Sequence, residues 1–157
     1  MDSIKLKELT APCGLDCFNC EVYEENITEA LKTMLARKLG RDKESLSCKG
    51  CRTQNGCSVF PFPCKTLQCV DSKGVAFCFE CEDFPCKDYA KKLSESHKGD
   101  KRFKYRHELP SNLKRIRKIG TQEWLKEQKT RWRCPQCGGI IKFYHYTCSD
   151  CGFKKQI

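Results

Sequence analysis

The sequence predicts a small α+β fold stabilised by metal: a cysteine-rich knuckle domain with short helices, a helical connector and a C-terminal β zinc ribbon. Three observations predict it. Fifteen of the 157 residues are cysteine, and many recur in Cys-x-x-Cys pairs. Apolar residues other than cysteine are sparse and 32% of the chain is charged. Metal must then replace part of a missing core, and metal-free protein is expected to be largely unfolded. The periodic segments are short and helical, apart from one β-branched and aromatic run near the end.

Compartment follows from the cysteines. The N-terminus, Met1-Asp-Ser-Ile-Lys-Leu-Lys7, has no apolar core of a signal peptide, and no run of about 18 apolar residues occurs. A secreted disulfide scaffold and a membrane span are both unexpected. Knuckle spacing and an odd cysteine total predict a cytosolic, reduced, metal-binding chain. Three regions are expected: a cysteine-rich metal-binding domain over 1–96, a basic helical connector over 97–131, and the ribbon over 132–157.

The first element is Cys13-Gly-Leu-Asp-Cys17-Phe-Asn-Cys20. Its spacing matches the one by which radical enzymes dependent on S-adenosylmethionine hold three irons of a cluster. Those enzymes need a large barrel, and too little chain follows here. Asn19 also stands where an aromatic residue usually precedes the third cysteine. An ordinary zinc or iron–sulfur site remains, since thiolates suit both. A helix follows. Thr28 caps it, Glu29 suits its positive end, and Gly40 ends it. Leu31, Met34, Leu35 and Leu39 share one face, which predicts core packing.

Cys48-Lys-Gly-Cys51, Cys57, Cys64 and Cys69 come next, then Cys78-Phe-Glu-Cys81 and Cys86. Local closure costs least entropy. One partition therefore joins Cys48, Cys51, Cys57 and Cys64, and separately Cys69, Cys78, Cys81 and Cys86. Cys13, Cys17 and Cys20 would then take a fourth ligand from His97, His107, Asp16, water or a substrate. Interleaved pairing is equally compatible with the spacing. A further helix is expected from Pro85 through Tyr89, Ala90 and Leu93.

The connector reads as two helices. Ser111 caps the first, which carries Leu113, Ile116 and Ile119 and stops at Gly120. Thr121 caps the second, where Trp124, Leu125 and Gln128 share a face. Both Trp124 and Trp132 are expected to pack beneath the ribbon. The ribbon itself is Cys134-Pro-Gln-Cys137 and Cys148-Ser-Asp-Cys151, each followed by a glycine that permits a tight knuckle. Ile140 to Tyr146 is expected to pair as strands and bring the four cysteines to one structural zinc. His145 is expected on a strand and not as a ligand.

Several of these motifs carry a resemblance. Ala11-Pro-Cys-Gly-Leu-Asp-Cys-Phe-Asn-Cys-Glu-Val-Tyr23, Cys48-Lys-Gly-Cys51, Cys64, Cys69 and Gly74-Val-Ala-Phe-Cys-Phe-Glu-Cys-Glu-Asp-Phe-Pro-Cys86 follow in order. Over residues 11–93 the chain resembles the domain-of-unknown-function 3795 family. It is similar to longer members, in which a helix like Trp124 to Gln128 and a cysteine motif like Arg131 to Gly138 follow. The resemblance implies a cytosolic metal-binding protein and supplies no activity. The apolar stretch Ser58 to Pro63 departs from the family's more polar segment and leaves Cys57 only a candidate ligand.

Charge locates a candidate partner surface. Residues 87–133 carry 16 basic and 6 acidic side chains, while 1–86 carry 11 and 13. Lys101, Arg102, Lys104, Arg106, Lys114, Arg115, Arg117 and Lys118 are interleaved with Phe103 and Tyr105. Basic groups meet phosphates and aromatic faces stack on bases. The sequence thus points to a zinc-binding adaptor that contacts nucleic acid or an acidic protein surface. Its alternative is an iron–sulfur redox protein. No nucleophile motif, phosphate loop or paired carboxylate suggests ordinary catalysis, and the acidic Glu80, Glu82 and Asp83 read as solvated.

Overall fold

The computed structural model describes residues 3–59 and 63–157. Phe60, Pro61 and Phe62, in the apolar stretch noted above, lie outside the described residues. The regular structure among the described residues is helical. Helix α1 spans Ser3–Glu8, α2 Glu29–Leu39, α3 Lys65–Ser72, α4 Lys87–Tyr89, α5 Lys104–His107 and α6 Leu109–Arg131. Short 3-10 turns occupy Cys17–Asn19, Lys43–Leu46, Cys78–Glu80 and Lys101–Phe103, and α4 runs on as a π-turn over Ala90–Ser94. None of these helices is long and apolar enough to cross a membrane.

The expected α+β class is corrected, because no strand forms among the described residues. The C-terminal tail has only the isolated bridges Arg133 with Ile140, Ile141 with Cys148 and Thr147 with Lys154. Two features prevent a ladder. Tyr144 and Tyr146 adopt left-handed backbone, with φ of 74° and 52°, which breaks the run in its middle. The Phe143 N–H also leaves the tail altogether and donates to the Asn19 carbonyl at 2.9 Å. A β zinc ribbon is therefore absent, and the tail is a pair of cysteine turns joined by loops.

Helix α2 starts and stops where the sequence places it. Thr28 Oγ1 accepts from Leu31 N at 3.2 Å, and Gly40 closes it with φ 62° and ψ 35°. Its apolar stripe does not enter the core. No α2 residue is buried, and Met34 and Leu39 are 52% and 36% exposed. The helix end expected at Pro85 begins at Lys87, capped by Cys86, whose sulfur accepts from Tyr89 N at 3.4 Å.

Helix α6 organises the rest. It starts at Leu109 rather than after Ser111, and Gly120 breaks it with φ 81° and ψ 162°. Before the break it buries Leu109, Leu113 and Ile116; after it, Trp124, Leu125 and Gln128. Leu109, Leu113, Ile116, Trp124 and Leu125 join Leu9, Tyr23, Leu67, Val70, Phe77 and Tyr89 in the first core. Trp132, Ile141, Phe143 and Tyr146 form a second core with Cys134 and Cys148. Trp124 thus serves the first core, and Trp132 alone lies in the core of the tail.

Both cores meet the first cysteine loop. Leu15 packs against each. Asn112 Nδ2 donates to the Gly14 carbonyl at 3.0 Å, and Tyr89 Oη donates to the Cys13 carbonyl at 3.0 Å. Arg52 donates from Nε to Thr10 O at 2.7 Å and from a terminal nitrogen to Ala76 O at 2.6 Å. These bonds draw together segments far apart in sequence, and each segment brings cysteines with it.

Candidate metal centres

The tail cysteines form the tightest site. The sulfurs of Cys134, Cys137, Cys148 and Cys151 all lie within 4.8 Å of one another. Cys134 and Cys151 are 3.6 Å apart, and Cys137 and Cys148 are 3.5 Å apart. A tetrahedral ion about 2.3 Å from each thiolate would space sulfurs about 3.8 Å apart. The donor set can therefore hold a metal ion. Cys134 and Cys148 are buried while Cys137 and Cys151 are exposed, so the group sits at the edge of the second core.

Local backbone shapes the site. Gly139 N donates to Cys137 Sγ at 3.4 Å and Asp150 N to Cys148 Sγ at 3.5 Å. Gly138 and Gly152, with φ of 79° and 75°, turn the chain behind each pair. Burial opposes a thiolate at Cys134, but N–H groups of Cys137 and Gln136 and the neighbouring thiols outweigh it and hold it down to about 7. Four thiolates fill a tetrahedral ion, which leaves no position for a substrate.

The N-terminal thiols gather less tightly. Among the described residues, the tail group is the one set of three or more potential ligands that falls within 4.8 Å. The N-terminal sulfurs instead meet in pairs. Cys17 contacts Cys51, and Cys48 contacts Cys57. Cys13 and Cys64 also bear on the first pair. Cys20 bears on the second. The thiols that bear on Cys78 are Cys13 first, then Cys86, Cys69 and Cys81.

Desolvation dominates the electrostatics here. It pushes the Cys13, Cys20 and Cys78 thiols up to about 12. Such thiols stay protonated unless a cation compensates them. The contact with Cys57 instead holds Cys48 down to about 6, helped by N–H groups of Ser58 and Gly50. Burial also pushes the neighbouring Asp16 carboxyl up to about 7, against hydrogen bonds from Phe18 N and Asn19.

The other candidate ligands have different partners. His97 stacks on Phe103 at 3.9 Å, and His107 Nε2 lies 2.9 Å from the Ser96 carbonyl. His145 is on no strand; its Nδ1 pairs with Glu21 at 2.7 Å. Glu80 accepts from Ala76 N and Phe77 N. Asp83 holds Lys73 at 2.6 Å, and the same ammonium donates to Cys81 Sγ at 3.1 Å. Sequence reasoning missed Lys73, Arg52 and Glu21. No local pattern could have found Arg52 or Glu21, whose partners lie 24 to 124 residues away.

The basic residues divide into two groups. Arg102 is held by Asp100 at 2.7 Å and lies over Tyr144; Arg106 lies over Phe103; Arg115 pairs with Glu127. Lys101, Lys104, Lys114, Arg117 and Lys118 are exposed, with no ion pair to the described residues. Tyr105 stacks on Phe143 at 4.9 Å, so neither interleaved aromatic ring is free to stack on a base.

Comparison with known sequences decides the family. The family described as protein of unknown function (DUF3795) matches residues 9–91, just over half of the chain. The chain belongs to the DUF3795 family. That match covers all eleven N-terminal cysteines, and the tail site lies beyond it. No curated protein and no solved structure matches the chain.

Proposed function

We propose that this DUF3795 protein is a cytosolic zinc-held adaptor, and that the outer face of α6 contacts nucleic-acid phosphates. The observation that carries the reading is the division of α6. Leu109, Leu113 and Ile116 face the core, while Lys114, Arg117 and Lys118 lie on the solvent side without an ion pair. Positions i, i+3 and i+4 share one helical face. Phosphate contacts position a protein without reading sequence, and the occupied rings at Phe103 and Tyr105 argue against base stacking. Zinc is the metal favoured by four thiolates in a closed tetrahedral set, and it carries no redox chemistry. Its role is to fold the chain.

The test is a titration of duplex DNA and of RNA at two salt concentrations with the metal-loaded protein. Its companion is the variant Lys114→Gln/Arg117→Gln/Lys118→Gln. Each phosphate contact contributes about 0.9 to the salt slope on duplex DNA, so the variant should lower the slope by roughly 2–3. Equal binding by the variant, or none at low salt, would refute the nucleic-acid role and leave an acidic protein as the partner to seek. Metal analysis of the same anaerobic preparation checks the zinc. Iron with inorganic sulfide, and a brown colour, would replace it with the redox reading.

A further inference from the structure

We infer that the four tail cysteines are also a peroxide-reactive site. A hydroperoxide oxidises the exposed Cys137 and Cys151, and the buried Cys148 and Cys134 then close the disulfides Cys137–Cys148 and Cys134–Cys151. The inference rests on the tail metal centre in one respect only, that oxidation expels its ion.

The backbone ties both cysteine turns to one segment. Ile141 N donates to Trp132 O at 2.8 Å, just before Cys134, and Ser149 N donates to Ile140 O at 3.0 Å, just after Cys148. Ile141 is 0% exposed and bridges to Cys148, so this segment cannot swing out. Within the turns, Cys134 N donates to Gly139 O at 2.7 Å and Cys148 N to Phe153 O at 2.8 Å. The sulfurs of the two turns therefore meet. Cys137 Sγ lies 3.5 Å from Cys148 Sγ, and Cys151 Sγ lies 3.6 Å from Cys134 Sγ. A disulfide needs these distances to close to about 2.05 Å.

Exposure sets the order of reaction. Cys134 and Cys148 are 2% and 3% exposed, while Cys137 and Cys151 face solvent. A peroxide reaches the second pair first, and each of its sulfurs has a buried sulfur of the other turn beside it. Accessible thiolates poised next to a resolving cysteine are the ones that oxidise reversibly. A bound ion would keep all four as thiolates, the form that attacks. The Cys137 sulfur attacks one peroxide oxygen and the O–O bond breaks. The departing oxygen takes a proton from water, and Cys137 becomes a sulfenic acid. Cys148 then attacks the Cys137 sulfur; the S–S bond forms, the S–O bond breaks, and the hydroxyl leaves as water. Cys151 and Cys134 repeat the sequence. Each disulfide consumes two thiols and one hydroperoxide and yields one alcohol and one water, the alcohol being a second water for hydrogen peroxide. Sulfur is oxidised and peroxide oxygen reduced. Disulfide sulfurs are no longer thiolate ligands, so the ion leaves.

The experiment treats the full chain, prepared without oxygen and loaded with zinc, with hydrogen peroxide. Trypsin cuts after Arg133, Lys142 and Lys154, which puts Cys134 and Cys137 on one peptide and Cys148 and Cys151 on another. Mass spectrometry should find these peptides joined, with fragments that assign Cys134–Cys151 and Cys137–Cys148, and zinc should be released as the joined species accumulates. With dimedone present as a sulfenic-acid trap, label should fall on Cys137 and Cys151. Separate peptides, each closed on its own two cysteines, would overturn the pairing. Label confined to Cys134 and Cys148 would overturn the order, and four unmodified tail thiols in excess peroxide would overturn the site. Metal counted before the peroxide keeps the two readings apart: protein without zinc that forms the same disulfides would refute the metal centre and uphold the peroxide site.

Discussion

Replacing Gly14 by alanine tests whether helix α6 braces the first cysteine loop. Gly14 has φ 91°, and left-handed backbone costs an ordinary residue about 1–2 kcal/mol. A Cβ there would lie 2.9 Å from the Leu109 carbonyl oxygen and 3.0 Å from Leu113 Cγ. Leu109 and Leu113 are 1% and 0% exposed, so neither can swing away. Forcing an atom into such packing costs about 1–3 kcal/mol. The expected loss is therefore about 2–5 kcal/mol from both causes together. Gly40 supplies the control. It has φ 62°, and nothing lies within 4 Å of its would-be Cβ. Gly40→Ala should cost only the backbone part, about 1 kcal/mol. Urea unfolding of the metal-loaded protein measures both, with each midpoint converted through the slope. Equal losses would refute the brace, because the steric part distinguishes the two sites.

Two further substitutions probe the tail. Cys148→Ser should remove one metal ion and shift tryptophan emission to the red, because Trp132 is 3% exposed and shares its core with Cys134 and Cys148; an unchanged metal count would refute the four-thiolate site. Lys142→Ala should cost about 1–3 kcal/mol in the same urea assay, because Lys142 is buried and its ammonium donates to the Asn26 carbonyl at 2.5 Å; a neutral result would mean that water satisfies that carbonyl.

Local chemistry was legible in the sequence, and long-range choices were not. Thr28, Gly40 and Gly120 were readable because caps and left-handed breaks depend on the residue itself. The tail ligand set was readable because its pairs close over a short loop. The missing strands were not, since Phe143 chooses the Asn19 carbonyl over a tail partner, and periodicity cannot see that competition. The stripe of α2 misled for a related reason. Leu31, Met34, Leu35 and Leu39 fit a buried face, yet α2 packs chiefly on the turn Lys43–Leu46, and its apolar side stays open. The seating of Cys48 beside residues 22–24 and of Arg52 on the Thr10 carbonyl was likewise invisible, because those contacts join segments far apart in sequence.

The tail is not an appendage on this chain. Three contacts seat it on the segment around Cys20: Phe143 N on Asn19 O, Lys142 Nζ on Asn26 O, and His145 on the Glu21 carboxylate. Asn26 in turn donates to the carbonyls of Phe18 and Cys20 at 2.6 and 2.9 Å. Asn19 and Asn26 are buried, so these groups have no cheap exchange with water. Ordering the tail therefore fixes both ends of the Cys20 loop, and ordering that loop completes the tail's hydrogen bonds. On the metal-binding reading proposed above, a metal bound at either place would stabilise the conformation that the other requires. Coupling of this kind is reciprocal, so loss of the tail ion should weaken N-terminal metal binding by the same factor as the reverse.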